Sequence, residues 1–258
     1  MPLLDSNDPP AFSRFRSENK KNILFTSDHN GCVIPRKLNN LGVPDHELRR
    51  HVAYDIGIDA VAHYLSARFD APLITSNYSR LVVDCNRRPG TEGSMPAISD
   101  KTIVVGNENI KKEARRLREE EIFYPYHFAI KNQIEKQRQA IGKKPGPVLI
   151  ALHSFTPVME AKFRPWHIGI LWKEDDSLAR PIIKALKGDK NLCIGDNQPY
   201  SGSDPAGYTF EEHVPKYDLR SFAVEFRQDL IEFQSGAKRW AEVFAGSLEE
   251  VLATLELN

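Results

Sequence analysis

The sequence predicts an α/β protein in which a mostly parallel, mixed sheet is flanked by helices. Three observations lead there. Compact apolar runs alternate with amphipathic stretches along the chain, the pattern of strands covered by helices on both faces. Several apolar runs stop abruptly at a polar loop, as buried strands do. No repeat, low-complexity tract or linker divides the 258 residues, so one domain over 1–258 is expected, with 1–20 as an irregular, proline-containing arm.

Asn22 to Thr26 is a short buried strand, and Ser27-Asp28-His29-Asn30-Gly31 is the loop behind it. Leu48 to Phe69 carries Val52, Ile56, Val61 and Leu65 at helical spacing and is expected to be one long amphipathic helix. Ala71 to Asn77 and Leu81 to Cys85 are the next strands, the second running into Asn86-Arg87-Arg88-Pro89-Gly90; a short apolar run, Lys101 to Val105, follows. Ile110 to Gly142 is charged with a helical rhythm and divides into two helices at Pro125, because proline breaks the backbone ladder. Lys143 to Pro147 is a turn, Val148 to Leu152 a buried strand, and His153-Ser154-Phe155-Thr156 its polar sequel. His167 to Leu171, Asn191 to Gly195 and Phe222 to Phe226 are strands; Ala179 to Lys187 and the segment from Gln228 onward are helical. Pro199 to Gly207, rich in Gly, Ser and Pro, is a loop or lid.

Composition removes several function classes. The 35 basic and 35 acidic side chains cancel, leaving no overall field for nucleic acid or an anionic membrane. The charged stretch from Lys111 to Glu121 mixes both signs, as a solvated helix face does. Cys32, Cys85 and Cys193 are odd in number and far apart, which fits free thiols in a reducing cytoplasm rather than a disulfide framework. The first residues lack a basic region followed by an apolar core, and no apolar run approaches the ~20 residues that span a bilayer. A soluble, cytoplasmic protein with a small-molecule substrate is expected; oligomeric state is not legible.

Ligands of open α/β sheets gather at the carboxyl ends of strands, and several reactive side chains fall there: His29, Asn86 with Arg87, His153 and Glu225. A histidine behind a strand is ordinarily a loop residue bonded to backbone. Glu225 is less ordinary, because an unpartnered carboxylate inside an apolar strand is costly to bury.

Seven segments, in family order over residues 22 to 245, resemble the N-formylglutamate amidohydrolase family: Ser27-Asp28-His29, His51 to Gly57, Tyr78 to Arg87, Leu152 to Pro157, Arg164 to Gly169, Asn197 to Ser201 and Val224 to Ile231. More distantly the pattern is similar to zinc carboxypeptidases and aspartoacylases, which implies a zinc-carboxypeptidase-like fold. Those relatives carry a ligand glutamate three positions after the first histidine, where this chain has Cys32.

The resemblance implies Zn2+ or another divalent metal held by His29, Asp55 and His153, the carboxylate being supplied by Asp55, with Cys32 and His51 as alternatives. It implies Glu225 as general base and Arg164 as a cation near the carbonyl. Arg80, Asn86, Arg87 and Tyr200 would bind an N-acyl amino acid, and Asp28 would orient a ligand histidine. The alternatives are an ion pair with Asp84 for Arg80 and a turn cap for Asp28. His213 would close over the substrate or make a structural hydrogen bond. Tyr126 and His127 also resemble a family motif but are assigned no chemical step, and Trp166 and Trp240 pack. The implied reaction is hydrolysis of an N-formyl or N-acyl amino acid, N-formylglutamate foremost. Its rivals are a deacylase or carboxypeptidase-like activity on another substrate, and a silent binding protein.

Overall fold

Seven strands form one mixed sheet in the order β1 (Phe12–Phe15), β3 (Leu73–Ser76), β2 (Ile23–Ser27), β6 (Val148–Phe155), β11 (Ser221–Arg227), β9 (Ile168–Leu171), β10 (Ile194–Asp196). The structure, a computed structural model, describes residues 1–15, 22–140, 146–202 and 207–254. The pairs β2–β3, β2–β6, β6–β11 and β9–β10 are parallel, whereas β1–β3 and β9–β11 are antiparallel. Two short hairpins stand apart from the sheet, β4 (Ile98–Ser99) with β5 (Thr102–Ile103) and β7 (Val158–Met159) with β8 (Lys162–Phe163).

Apart from Ser221 the central strands are buried throughout, and up to the polar residues at their carboxyl ends they are apolar on both faces rather than alternating. One face, with Phe25, Ile150, Leu152, Val224 and Phe226, packs on α1 (Ile58–Phe69), α4 (Ala179–Leu186) and α7 (Gln234–Thr254). Trp240 lies in that core. The opposite face, with Leu24, Ile74 and Leu149, packs on α3 (Tyr124–Ala140). There α2 (Lys112–Arg118) runs through a π-helical turn at Glu119–Phe123 into α3, and α5 (Tyr208–Tyr217) lies alongside. A short α6 (Gln228–Ile231) links β11 to α7. Among the described residues no helix is long and apolar enough to cross a membrane.

The mixed, mostly parallel sheet flanked by helices is as expected, and five local expectations are corrected. The long helix over Leu48–Phe69 begins only at Ile58. Gly57 is left-handed (φ 79°) with no room for a Cβ, which would lie 2.3 Å from the Ile231 carbonyl oxygen, and the Asp55 N–H donates to the His29 carbonyl at 2.9 Å. A tertiary bond thus replaces the helical one, and Asp55 and His51 sit on a loop. Leu81–Cys85 is buried but not a strand; the Val82 N–H donates to the Ser79 carbonyl and that of Asp84 to Ser94, so the run is coiled into turns. β6 continues to Phe155, placing His153 and Ser154 inside the strand. The helical break sits at Glu119–Phe123 and not at Pro125, which lies in the first turn of α3 where a missing N–H is tolerated. The arm over 1–20 contains β1, and α5 was not anticipated. The expected turn over 143–147, the last two residues of the 110–142 helical stretch, the end of the arm and the tip of the 199–207 loop lie partly or wholly outside the described residues.

Candidate metal centre

Three side chains from distant parts of the chain meet at the end of the central strands. The candidate donor atoms of His29, Asp55 and His153 lie within 4.8 Å of one another, and all three residues are buried. His29 arrives directly behind β2. His153 projects from β6, and Glu225 pairs with it in register on the neighbouring β11. Asp55 is delivered by the loop that Gly57 closes. The Ser154 N–H donates to Asp55 Oδ2 at 3.1 Å and its hydroxyl to the Ile56 carbonyl at 2.9 Å, so β6 clamps that loop.

Both imidazoles present the same nitrogen inward. His29 Nδ1 is 3.5 Å from Asp55 Oδ1, and His153 Nδ1 is 3.1 Å from Asp55 Oδ2. Their outer nitrogens face carboxylates: His29 Nε2 is 2.7 Å from Asp84 Oδ1, and His153 Nε2 is 3.3 Å from Asp28 Oδ2. A carboxylate only accepts, so each Nε2 keeps its proton, and a cation that displaced the proton between Nδ1 and Asp55 would meet the Nδ1 lone pairs. Asp28 and Asp84 are themselves fixed. Tyr126 and Thr209 donate their hydroxyls to Asp28 Oδ1, each at 2.7 Å. Arg80 donates from Nε and Nη2 to Asp84 Oδ2 at 3.1 and 2.8 Å, and the Asn86 N–H caps Oδ1 at 2.8 Å.

The electrostatics follow from four buried carboxylates in one small space. Burial alone would raise Asp28, but His153 beside it, with the charge of His29 and the Thr209 hydroxyl, holds it down at about 2. Asp55 and Asp84 are likewise held below their ordinary range against burial, by the two histidines and by Arg80 with His29 respectively. Burial and Arg80 push His29 down, yet Asp84 and Asp55 outweigh them and its pKa rises; burial opposes His153 too, and Asp28 and Asp55 raise it. Glu225 goes the other way: burial, reinforced by Asp55, pushes it up to about 7, and its Oε2 has no hydrogen-bond partner. Two imidazole nitrogens, one carboxylate and a surplus of buried negative charge suit a divalent cation. Three protein donors leave coordination positions open, as a hydrolytic metal site requires.

Asp28, His29, Asp55, His153 and Glu225 line a cavity of ≈ 430 Å³. Asn86, Arg87 and Tyr200, the residues expected to bind substrate, are among those lining it. Among the described residues the Arg87 side chain makes no ion pair, whereas Arg80 is paired with Asp84 and turns Nη1 toward Asp55 at 3.7 Å. Arg164 reaches the cavity through Tyr200, donating to its hydroxyl at 2.9 Å and lying over its ring. Tyr200 gets there because β9 and β10 carry Gly169 and Gly195 side by side. A Cβ on either would lie 2.0 or 2.6 Å from the Gln198 carbonyl oxygen, so only glycines let the 197–202 loop rest on the sheet beside Glu225.

Other expectations are placed elsewhere. Cys32 is exposed and outside the group of three donors. His51 is not on a helical face with Asp55; it lies 3.3 Å from Asp100, the carboxylate through which Arg50, at 2.7 Å, ties down the β4–β5 hairpin. His213 pairs with His127 at 3.2 Å, and His127 donates to the Cys85 carbonyl, so the pair clamps α5 to α3. Asp84 was weighed only as a partner for Arg80. Its signal is the one that singled out Glu225, a carboxylate inside an apolar run (Val82-Val83-Asp84-Cys85). Thr209 carried no such signal; only the packing of α5 brings it to Asp28.

A family model described as N-formylglutamate amidohydrolase matches residues 21–232. A crystal structure of a gene product from Agrobacterium tumefaciens is 31% identical, with a TM-score of 0.93 over 98% of this chain and 99% of that one. The N-formylglutamate amidohydrolase of Ralstonia eutropha shares 17% identity and a TM-score of 0.68 over 93% and 96% of the two chains, which shows likeness of fold. Comparison with curated proteins returns no match.

Proposed function

The chain belongs to the N-formylglutamate amidohydrolase family, and on that premise we propose that it hydrolyses the amide of an N-formyl or N-acyl amino acid, N-formylglutamate foremost. One observation supports the reading above the rest: two imidazole Nδ1 atoms and a carboxylate converge beside Glu225, while two further aspartates fix the rings from behind. His29, Asp55 and His153 would hold a divalent cation, zinc by its donor preference for histidine and carboxylate. When bound there, the cation acidifies water toward neutrality and polarises the carbonyl.

The protein's own groups do the rest. Glu225, desolvated and with one oxygen unpartnered, accepts the proton of the attacking water and returns it to the leaving amine. Its raised pKa suits both halves of that exchange near neutral pH. Arg87, with the Asn86 amide beside it, binds the carboxylate of the amino-acid half, since a guanidinium matches a carboxylate in two places. Arg80 is positioned by Asp84 to add positive charge where the carbonyl oxygen becomes negative. Tyr200, steadied by Arg164, closes one side of the cavity.

The test compares wild type with Glu225→Gln for formate release and zinc content. Turnover falls by about 10²–10⁴-fold in the variant while its zinc content stays that of wild type. Unchanged turnover removes Glu225 from the chemistry, and a His153→Ala protein that still binds zinc normally removes the ligand set.

A further inference from the structure

The cavity extends beyond the reacting groups. Two residues before His153 and Glu225 on the same strands, and so on the same face of the sheet, lie Ala151 and Ala223, which pair with each other; Ala223 pairs on its other side with Leu171. These three are buried as a small apolar cluster against which Phe210 of α5 packs, and all four residues line the cavity. The neighbouring positions that face the other way, Leu152, Val224 and Ile170, are large and fill the main core. Alanines in the middle of two central strands, where bulkier side chains are favoured, leave a hollow between sheet and helix.

None of the four side chains has a polar atom with which to recognise a formyl oxygen or a second carboxylate. The cavity of ≈ 430 Å³ falls in the range, roughly 300–1,000 Å³, of pockets for ligands much larger than a formyl group. Resting on the hydrolase reading above, we infer that the Ala151–Ala223–Leu171 floor beneath Phe210 is an apolar subsite for an aliphatic group of the substrate. The floor thus narrows the N-formyl and N-acyl amino acids of that reading to those carrying a short hydrocarbon chain, ahead of N-formylglutamate itself. That chain belongs either to the acyl group or to the amino-acid side chain, and two substrate series separate the sources.

In the first series glutamate carries formyl, acetyl, butanoyl or hexanoyl; in the second, formyl is carried by alanine, norvaline, leucine or glutamate. The zinc-supplemented wild-type protein gives a kcat/KM that rises about fourfold per methylene in one series. Calorimetric binding of uncleavable N-alkyl glutamates and of free amino acids gives the same rank order without turnover. Ala223→Val, which fills the floor, lowers the ratio of long-chain to short-chain kcat/KM at least tenfold; Phe210→Ala raises it.

Hydrolysis of formylglutamate with flat or falling values along both series overturns the subsite and leaves the hydrolase reading standing. No turnover of any amide, with binding still rising along a series, does the reverse. A ratio unchanged in both variants also overturns the subsite.

Discussion

Replacing Asp84 by asparagine tests the candidate centre through a residue outside its three donors and outside the cavity lining. Asp84 Oδ1 accepts from His29 Nε2 at 2.7 Å and from the Asn86 N–H at 2.8 Å, while Oδ2 accepts twice from Arg80. An amide of the same shape has one acceptor oxygen instead of two. If that oxygen stays with Arg80, the new NH2 faces His29 Nε2 and favours the tautomer protonated on Nδ1, the nitrogen needed for the cation. If it turns to His29, the NH2 group faces a guanidinium, donor against donor. Either arrangement costs one charge-assisted hydrogen bond. Loss of such an outer carboxylate lowers metal affinity about 10–100-fold, or ~1.4–2.7 kcal/mol. Competition with a chromophoric zinc chelator measures this, with a thermal melt showing that the variant is folded. Asp28→Asn weakens binding in the same direction by less, because His153 Nε2 lies farther from its carboxylate, at 3.3 Å. A folded Asp84→Asn protein that binds zinc as tightly as wild type refutes the orientation of His29 described here.

Three further outcomes are expected. Gly169→Ala places a Cβ about where the Gln198 carbonyl oxygen stands, so the 197–202 loop must move; a loss of about 1–3 kcal/mol in urea unfolding and a rise in KM follow, and neither occurs if the loop does not shape the cavity. Arg87→Lys keeps the charge but loses the two-pronged contact, raising KM about 10-fold or more with kcat changed less. His213 is held down to about 3 by burial and by its neighbour His127. A base depressed this way binds fewer protons folded than unfolded, so stability is complete above its unfolded value near 6.5 and falls as pH drops from there toward 3. By pH 5 the loss is about 2 kcal/mol. His213→Gln, which keeps a donor for His127, flattens that part of the pH–stability curve measured by urea melts at pH 7.5, 6 and 5, whereas an unchanged slope places the acid sensitivity elsewhere.

The candidate site was legible where chemistry leaves a mark on local composition. A carboxylate inside the apolar run around Val224 and Phe226 needs a reason to be buried, and Glu225 does face the buried histidines. His29 behind a strand and Asn86-Arg87 after an apolar run were legible through their order along the chain. The periodicity that suggested a helix through Asp55 was misleading, because Val52 is buried in a loop as fully as it would be in a helix. Turns that bury apolar residues, as at Leu81–Cys85, look like strands to any reading by pattern, since burial and not backbone geometry selects their composition.

Apolar runs and their spacing determined the alternation of strands and helices, hence the class of fold, because hydrophobic burial acts on each segment through its own periodicity. They determined also that reactive side chains would cluster at one end of the sheet. Only the tertiary structure decided which nitrogen of each imidazole faces inward, that Asp84 and Asp28 stand behind the rings, and that Gly169 and Gly195 make room for the Tyr200 loop. Those outcomes depend on distances of about 3 Å between residues up to two hundred positions apart. Such distances are set by strand register and by how loops settle on the sheet, and neither leaves a local pattern in the chain.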